Sequence, residues 1–165
     1  MSVEHDYFGV IDESTSSVLT WFDTVMVAEQ TVEVSLVSSL DNPDISVKLD
    51  AAAELFQSLE YRDVQAREAL VSELSPGNTV VTRYLDALLT EFGGDIVDSL
   101  PYSSGDIPID ILRSLQLYRV DIDLDSWASD AAFSQWRYRF DLDDSDDVLV
   151  VAFDPDFTRG EITVE

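Results

Sequence analysis

Leu117-Tyr118-Arg119-Val120-Asp121-Ile122-Asp123-Leu124 alternates with a period of two, and Trp136-Arg137-Tyr138-Arg139-Phe140-Asp141-Leu142 repeats the pattern further on. In the first stretch Tyr118, Val120, Ile122 and Leu124 fall on one face, and Arg119, Asp121 and Asp123 on the other. In the second, Trp136, Tyr138, Phe140 and Leu142 oppose Arg137, Arg139 and Asp141. Side chains of a strand point alternately to its two faces, so the pattern predicts two strands of a sheet with one face in the core and one in water. The apolar run 148–153 predicts a central strand beside them, Asp154-Pro155-Asp156 a turn, and Glu161-Ile162-Thr163-Val164 a last strand.

Upstream of this meander the period becomes helical. Leu49, Ala52, Ala53, Phe56 and Leu59 share one face, and Ala66, Leu70, Val71 and Leu74 line a second helix over 61–74. Val81, Tyr84, Leu85, Leu88, Leu89 and Phe92 form the stripe of a third helix, capped by Asn78 and stopped by Gly93-Gly94. Pro101, Gly105 and Pro108 interrupt 95–115, which predicts a loop with short helical turns. Before the helices, Trp21-Phe22-Asp23-Thr24-Val25-Met26-Val27 and Thr31-Val32-Glu33-Val34-Ser35-Leu36 predict a hairpin, and the stretch 7–11 offers a further edge strand. Strands, then helices, then strands predict an α+β fold in one domain, 1–165. An antiparallel sheet from the N-terminal hairpin and the C-terminal meander is expected, packed on one side by three central helices.

The chain carries 34 acidic and 9 basic residues, a formal charge of -25 over 165 residues. With 45% hydrophobic residues it is no disordered acidic tail. Such a charge predicts no binding to nucleic acid or to a membrane, and favours encounter with a basic protein partner such as a toxin or nuclease. The opening residues lack the basic and apolar regions of a signal peptide, no apolar run is long enough to span a bilayer, and cysteine is absent; together these predict a soluble, cytoplasmic protein. Asp (23) outnumbers Glu (11) and Arg (8) outnumbers Lys (1), so a second origin of the charge stays open. In that alternative the chain is a housekeeping domain of unknown activity, enzymatic or not, whose acidity is salt adaptation.

The residues expected to meet a basic partner are Asp121, Asp123 and Asp141 on the wet sheet face and Asp143, Asp144, Asp146 and Asp147 in the most acidic run. Trp127, in a polar turn, is the aromatic anchor. Each has a plainer reading. The sheet-face carboxylates suit cross-strand ion pairs with Arg119, Arg137 and Arg139, the acidic run suits a solvated hairpin loop, and Trp127 suits a ring folded over the sheet edge. A calcium loop is not expected, because Val148 stands where its turn-making glycine would be. His5 is the only histidine and is expected to be exposed ahead of the first element, which leaves no Ser-His-Asp triad or His-rich metal site. Phosphate-loop, dinucleotide and zinc-protease motifs are absent. No catalytic residue, metal or cofactor is therefore expected, while catalysis by Asp, Glu, Tyr or Arg alone stays open.

The opening Tyr7-Phe8-Gly9-Val10-Ile11-Asp12 resembles the YFG-x-I-D start of a bacterial family of small uncharacterised proteins. The order of hairpin, helical middle and C-terminal meander is similar to theirs, although Phe153-Asp154-Pro155-Asp156 replaces their more usual Asp-Gly turn. The resemblance implies an immunity-like role, neutralising toxins of bacterial competition, and implies no functional residues.

Overall fold

The computed structural model describes residues 2–13, 17–101, 104–127, 133–140 and 146–165. Strands β1 (Ser2–His5) and β2 (Gly9–Asp12) form a hairpin of their own, apart from the main sheet. Its turn is Asp6-Tyr7-Phe8, and Gly9 opens β2. Phe8 is buried edge-on against Trp21 and Phe56, and Gly9 adopts φ +70°, a backbone state that favours glycine. The stretch expected as an edge strand thus pairs with the N-terminus and plugs the core with one aromatic ring.

Strands β3 (Val18–Val27) and β4 (Gln30–Ser39) are the expected hairpin, closed through Ala28 and Glu29 with φ of +46° and +70°. Two positive-φ residues in a two-residue loop match the right-handed twist of the flanking strands. Five helices follow: α1 (Ile45–Gln57), α2 (Leu59–Ser72), α3 (Val80–Phe92), α4 (Gly94–Ser99) and α5 (Ile107–Ser114). The first three are those the apolar stripes predict, and α4 and α5 are the short turns of the interrupted segment. The cap of α3 is Thr79 rather than Asn78. Thr79 is extended and its hydroxyl accepts the Thr82 N–H at 3.3 Å, whereas Asn78 sits at φ +50° and cannot present its side chain to the first turn.

Strands β5 (Gln116–Asp123), β6 (Ser134–Arg139), β7 (Leu149–Phe153) and β8 (Arg159–Val164) complete a six-stranded sheet in the order β3-β4-β5-β6-β7-β8. The fold class is the expected α+β. Every neighbouring pair is antiparallel except β4 and β5, where hairpin meets meander. Parallel neighbours need a long crossover, and the five helices supply it.

Val32, Val34 and Leu36 of β4, Val120 and Ile122 of β5, Trp136 and Tyr138 of β6 and Val151 of β7 pack into one core with Leu49, Ala52, Phe56, Leu70, Val81 and Leu85 of the helices. A bulge between Leu117 and Arg119 shifts the phase of β5 by one residue. Leu117 takes the core position, and Tyr118, expected inside, lies on the outer face with the Arg139 guanidinium 4.7 Å from its ring centroid. His5 also differs from expectation. It lies in β1, its side chain is 11% exposed, its Nε2 is 3.0 Å from an Asp50 carboxylate oxygen, and its Nδ1 accepts the Tyr7 N–H.

Candidate functional site

The outer face of the sheet holds the charged alternates of β5 and β6. Asp121 is its hub. It accepts from Arg119 Nε at 2.8 Å, from Arg137 Nη1 and from the Ser35 hydroxyl of β4. Arg137 reaches on to Glu165 at 3.2 Å and Gln135 at 2.9 Å, and Arg119 approaches Glu33 at 3.9 Å. These contacts link β4, β5 and β6 with the residue that follows β8, so Asp121 lies inside a ladder of opposite charges. Its contact with Arg119 raises the affinity of that guanidinium for its proton.

Asp123 is turned to a different task. Its carboxylate accepts from the Asp125 N–H at 2.9 Å and the Ser126 hydroxyl at 3.0 Å, capping the short 3-10 turn Leu124–Ser126. Asp125 in turn accepts from the Ser39 N–H and hydroxyl and from Asn42 Nδ2 at 2.7 Å, tying that turn to the end of β4. Trp127 follows, partly buried and edge-on to Phe133 with centroids 5.3 Å apart.

Asp146 and Asp147 are exposed and make no ion pair or hydrogen bond among the described residues. Asp147 borders an open groove of about 450 Å³ between α3 and β8, together with Arg83, Tyr84 and Glu161. The Tyr84 hydroxyl is buried without a hydrogen-bond partner among the described residues. Burial first, then the charge of Asp147, pushes it up to about 12. Asp141, Asp143 and Asp144 lie outside the described residues. The expected site residues therefore divide. Asp121 and Asp123 belong to separate internal networks, whereas Asp146 and Asp147 have no such partners among the described residues, and Asp147 borders a groove.

One cluster escaped the sequence reading. Asp63 of α2 is buried and accepts from the Tyr138 hydroxyl at 2.7 Å and from Arg67 Nε at 3.2 Å. The rest of the Arg67 guanidinium donates to the carbonyls of Arg113 and Leu115 at the end of α5 and to Gln30 Oε1. Gln30 Oε1 also accepts the Leu117 N–H at 2.8 Å. Burial, then the charge of Asp63 and its hydrogen bond, holds the Tyr138 hydroxyl well above its ordinary range, with Arg67 opposing. The cluster fastens α2, α5, β4, β5 and β6 together beneath an open cleft of about 690 Å³ that Glu68, Asp110 and Arg113 also border. Its signal was present: Asp63 interrupts the apolar stripe Leu59, Ala66, Leu70, and Arg67 lies one turn on.

Among the described residues no helix is long and apolar enough to cross a membrane. No group of three or more His, Asp or Glu side chains is placed to hold a metal ion among them. No family model matches the sequence, and neither a curated protein nor a solved structure shows significant similarity to it.

Proposed function

We propose that this chain is a non-catalytic binding protein for a basic protein partner, an immunity-type inhibitor of a cationic effector such as a nuclease, acting in the cytoplasm. The observation that carries this reading is the pair Asp146 and Asp147, exposed and without a cationic partner among the described residues of a chain whose formal charge is -25. Carboxylates without internal partners give up no contact of the fold when a cationic surface arrives. Nuclease clefts are positive because they bind phosphate, so an acidic surface can occupy them. The surplus charge steers the encounter and raises association rates towards about 10⁸ M⁻¹s⁻¹ at low salt. The resemblance of the Tyr7–Asp12 opening to an immunity-like bacterial family points the same way.

The test is capture from lysate of the source organism at low salt, followed by a wash at about 0.5 M salt, where the Debye length falls to roughly 4 Å and generic attraction is screened. One stoichiometric basic protein that survives the wash, and whose association slows when Asp146→Asn and Asp147→Asn are combined, is the expected result. A spread of basic proteins that all elute overturns the reading. The excess of Asp over Glu and of Arg over Lys favours a second reading, a housekeeping domain with salt-adapted acidity. That reading requires the chain to need molar salt to fold, which a melting series from low to molar salt decides.

A further inference from the structure

Strand β3 is the first strand of the sheet and forms one of its edges. The Leu40 N–H donates to the Ser17 carbonyl at the head of the β3–β4 ladder, so odd-numbered residues of β3 exchange backbone hydrogen bonds with β4. The N–H and C=O groups of Phe22, Thr24 and Met26 consequently point away from the sheet. Strand β2 reaches only the start of this edge, through the Glu13–Leu19 bridge. Beyond it, among the described residues, no backbone group pairs with the edge. The Thr24 N–H is met instead by the carboxylate of its own neighbour, Asp23, at 2.8 Å.

Proteins commonly guard such edges with Lys, Pro, a bulge or a covering segment. β3 has ten residues in unbroken register with β4, no Lys and no Pro. Its outward side chains include Phe22 and Met26, 68% and 67% exposed. Beside Phe22, on the outer sheet face, a hollow of about 420 Å³ is bordered by Asp23, Thr24 and Glu33 and by Arg119 of β5, which faces Glu33.

We propose that this edge takes up an extended strand from a basic protein partner. The added strand places apolar residues over Phe22 and Met26 and a cation beside Asp23, and its carbonyl replaces the Asp23 carboxylate on the Thr24 N–H. Charge complementarity selects this occupant. Residues 1–47 contain no Lys or Arg, and the hairpin carries Asp23 and Glu29, neither in an ion pair among the described residues, besides Glu33, which faces Arg119. A second copy of the chain would bring the same carboxylates and another -25 charges to the edge. The inference rests on the basic-partner reading above and adds where and how the partner docks.

The probes are two short capped peptides, one alternating valine with arginine and one alternating valine with glutamate. Backbone amide exchange in the full-length protein is followed by NMR. The arginine peptide is expected to slow exchange at Phe22, Thr24 and Met26 about tenfold or more, and the glutamate peptide to leave it unchanged. Thr24→Pro removes an outward N–H, which an edge strand tolerates, and is expected to weaken the arginine peptide about fivefold to tenfold. Phe22→Lys keeps every backbone donor but sets like charge against the peptide, and is expected to weaken it similarly with an unchanged melting temperature. Protection that appears elsewhere overturns the docking site and leaves the basic-partner reading standing. Equal protection by both peptides, no protection by either, or protection that rises with protein concentration alone also overturns it, the last in favour of a second copy. Capture of a basic protein tests the broader reading separately.

Discussion

On each side of the sheet an aspartate sits between arginine and hydroxyl donors, one on the packed helix α2 and one on strand β5, and the two sides differ in how much water reaches them. On the helix side, Asp63 joins Arg67 and Tyr138 with side chains 7% and 12% exposed for the ion pair. On the open side, Asp121 joins Arg119, Arg137 and Ser35 with its own side chain 23% and that of Arg119 41% exposed. The chemistry is nearly the same. Water decides what it is worth, because an unpaired charge in the interior has nowhere to be solvated, whereas one on the surface turns to solvent.

The largest expected effect follows from removing the interior carboxylate. Asp63→Ala leaves the Tyr138 hydroxyl and one arm of Arg67 unpaired and is expected to cost about 3 kcal/mol or more in a urea denaturation series. In that background Tyr138→Phe costs much less than it does alone, because its partner is already gone. Equal costs in both backgrounds would show that the hydroxyl and the carboxylate do not act together.

Next comes the alkaline limb. Tyr138 and Tyr84 both hold their protons more tightly in the fold than in the unfolded chain, where they lose them near pH 10. Their contribution is whole below pH 10. It is lost as pH rises because the unfolded chain then releases protons that the fold retains; for Tyr84 the loss runs from about 10 to about 12. Melting temperature is expected to fall from pH 10 upward, and Tyr138→Phe to flatten that fall. An unchanged slope in the variant would remove Tyr138 from the account.

On the open face, Asp121→Ala breaks the same kinds of contact and is expected to cost about 1 kcal/mol. The cost should shrink in 0.5 M salt (about a Debye length of 4 Å), while that of Asp63→Ala should not. A salt-independent loss at Asp121 would mean that the outer ladder behaves as interior and that the comparison fails.

The faces were also unequally legible. The alternation around Val120 and Trp136 marked both strands, and the helical stripes marked α1 to α3, because burial on one side writes a period into the chain. The parallel β4–β5 junction left no trace, since Glu33 meets Arg119 across the whole helical segment and no local pattern encodes that register. The bulge that turns Tyr118 outward is equally silent, because one extra residue shifts the phase without changing the composition. Asp63 was visible as a charge on an apolar stripe. The paired and unpaired carboxylates were not separable by sequence: Asp121 and Asp146 look alike until the fold gives one of them partners. The free edge of β3 likewise depends on strand order, which only the assembled sheet reveals.

The smallest effect on stability sharpens the comparison most. Asp146 and Asp147 have no partner among the described residues, so converting both to Asn removes no contact there and relieves repulsion in a chain of charge -25. Melting temperature is expected to stay within error of the parent or to rise slightly, with a change of about 0.5 kcal/mol or less. The same pair of changes is expected to slow association with a basic partner, because steering depends on the charges that structure does not use. A stability loss comparable to that of Asp121→Ala would show that these carboxylates are structural, and Asp146 and Asp147 would then lose their place in the proposed interface. Unchanged stability with slowed association would separate the two kinds of carboxylate by what they do: one kind holds the fold together, and the other is kept free for binding.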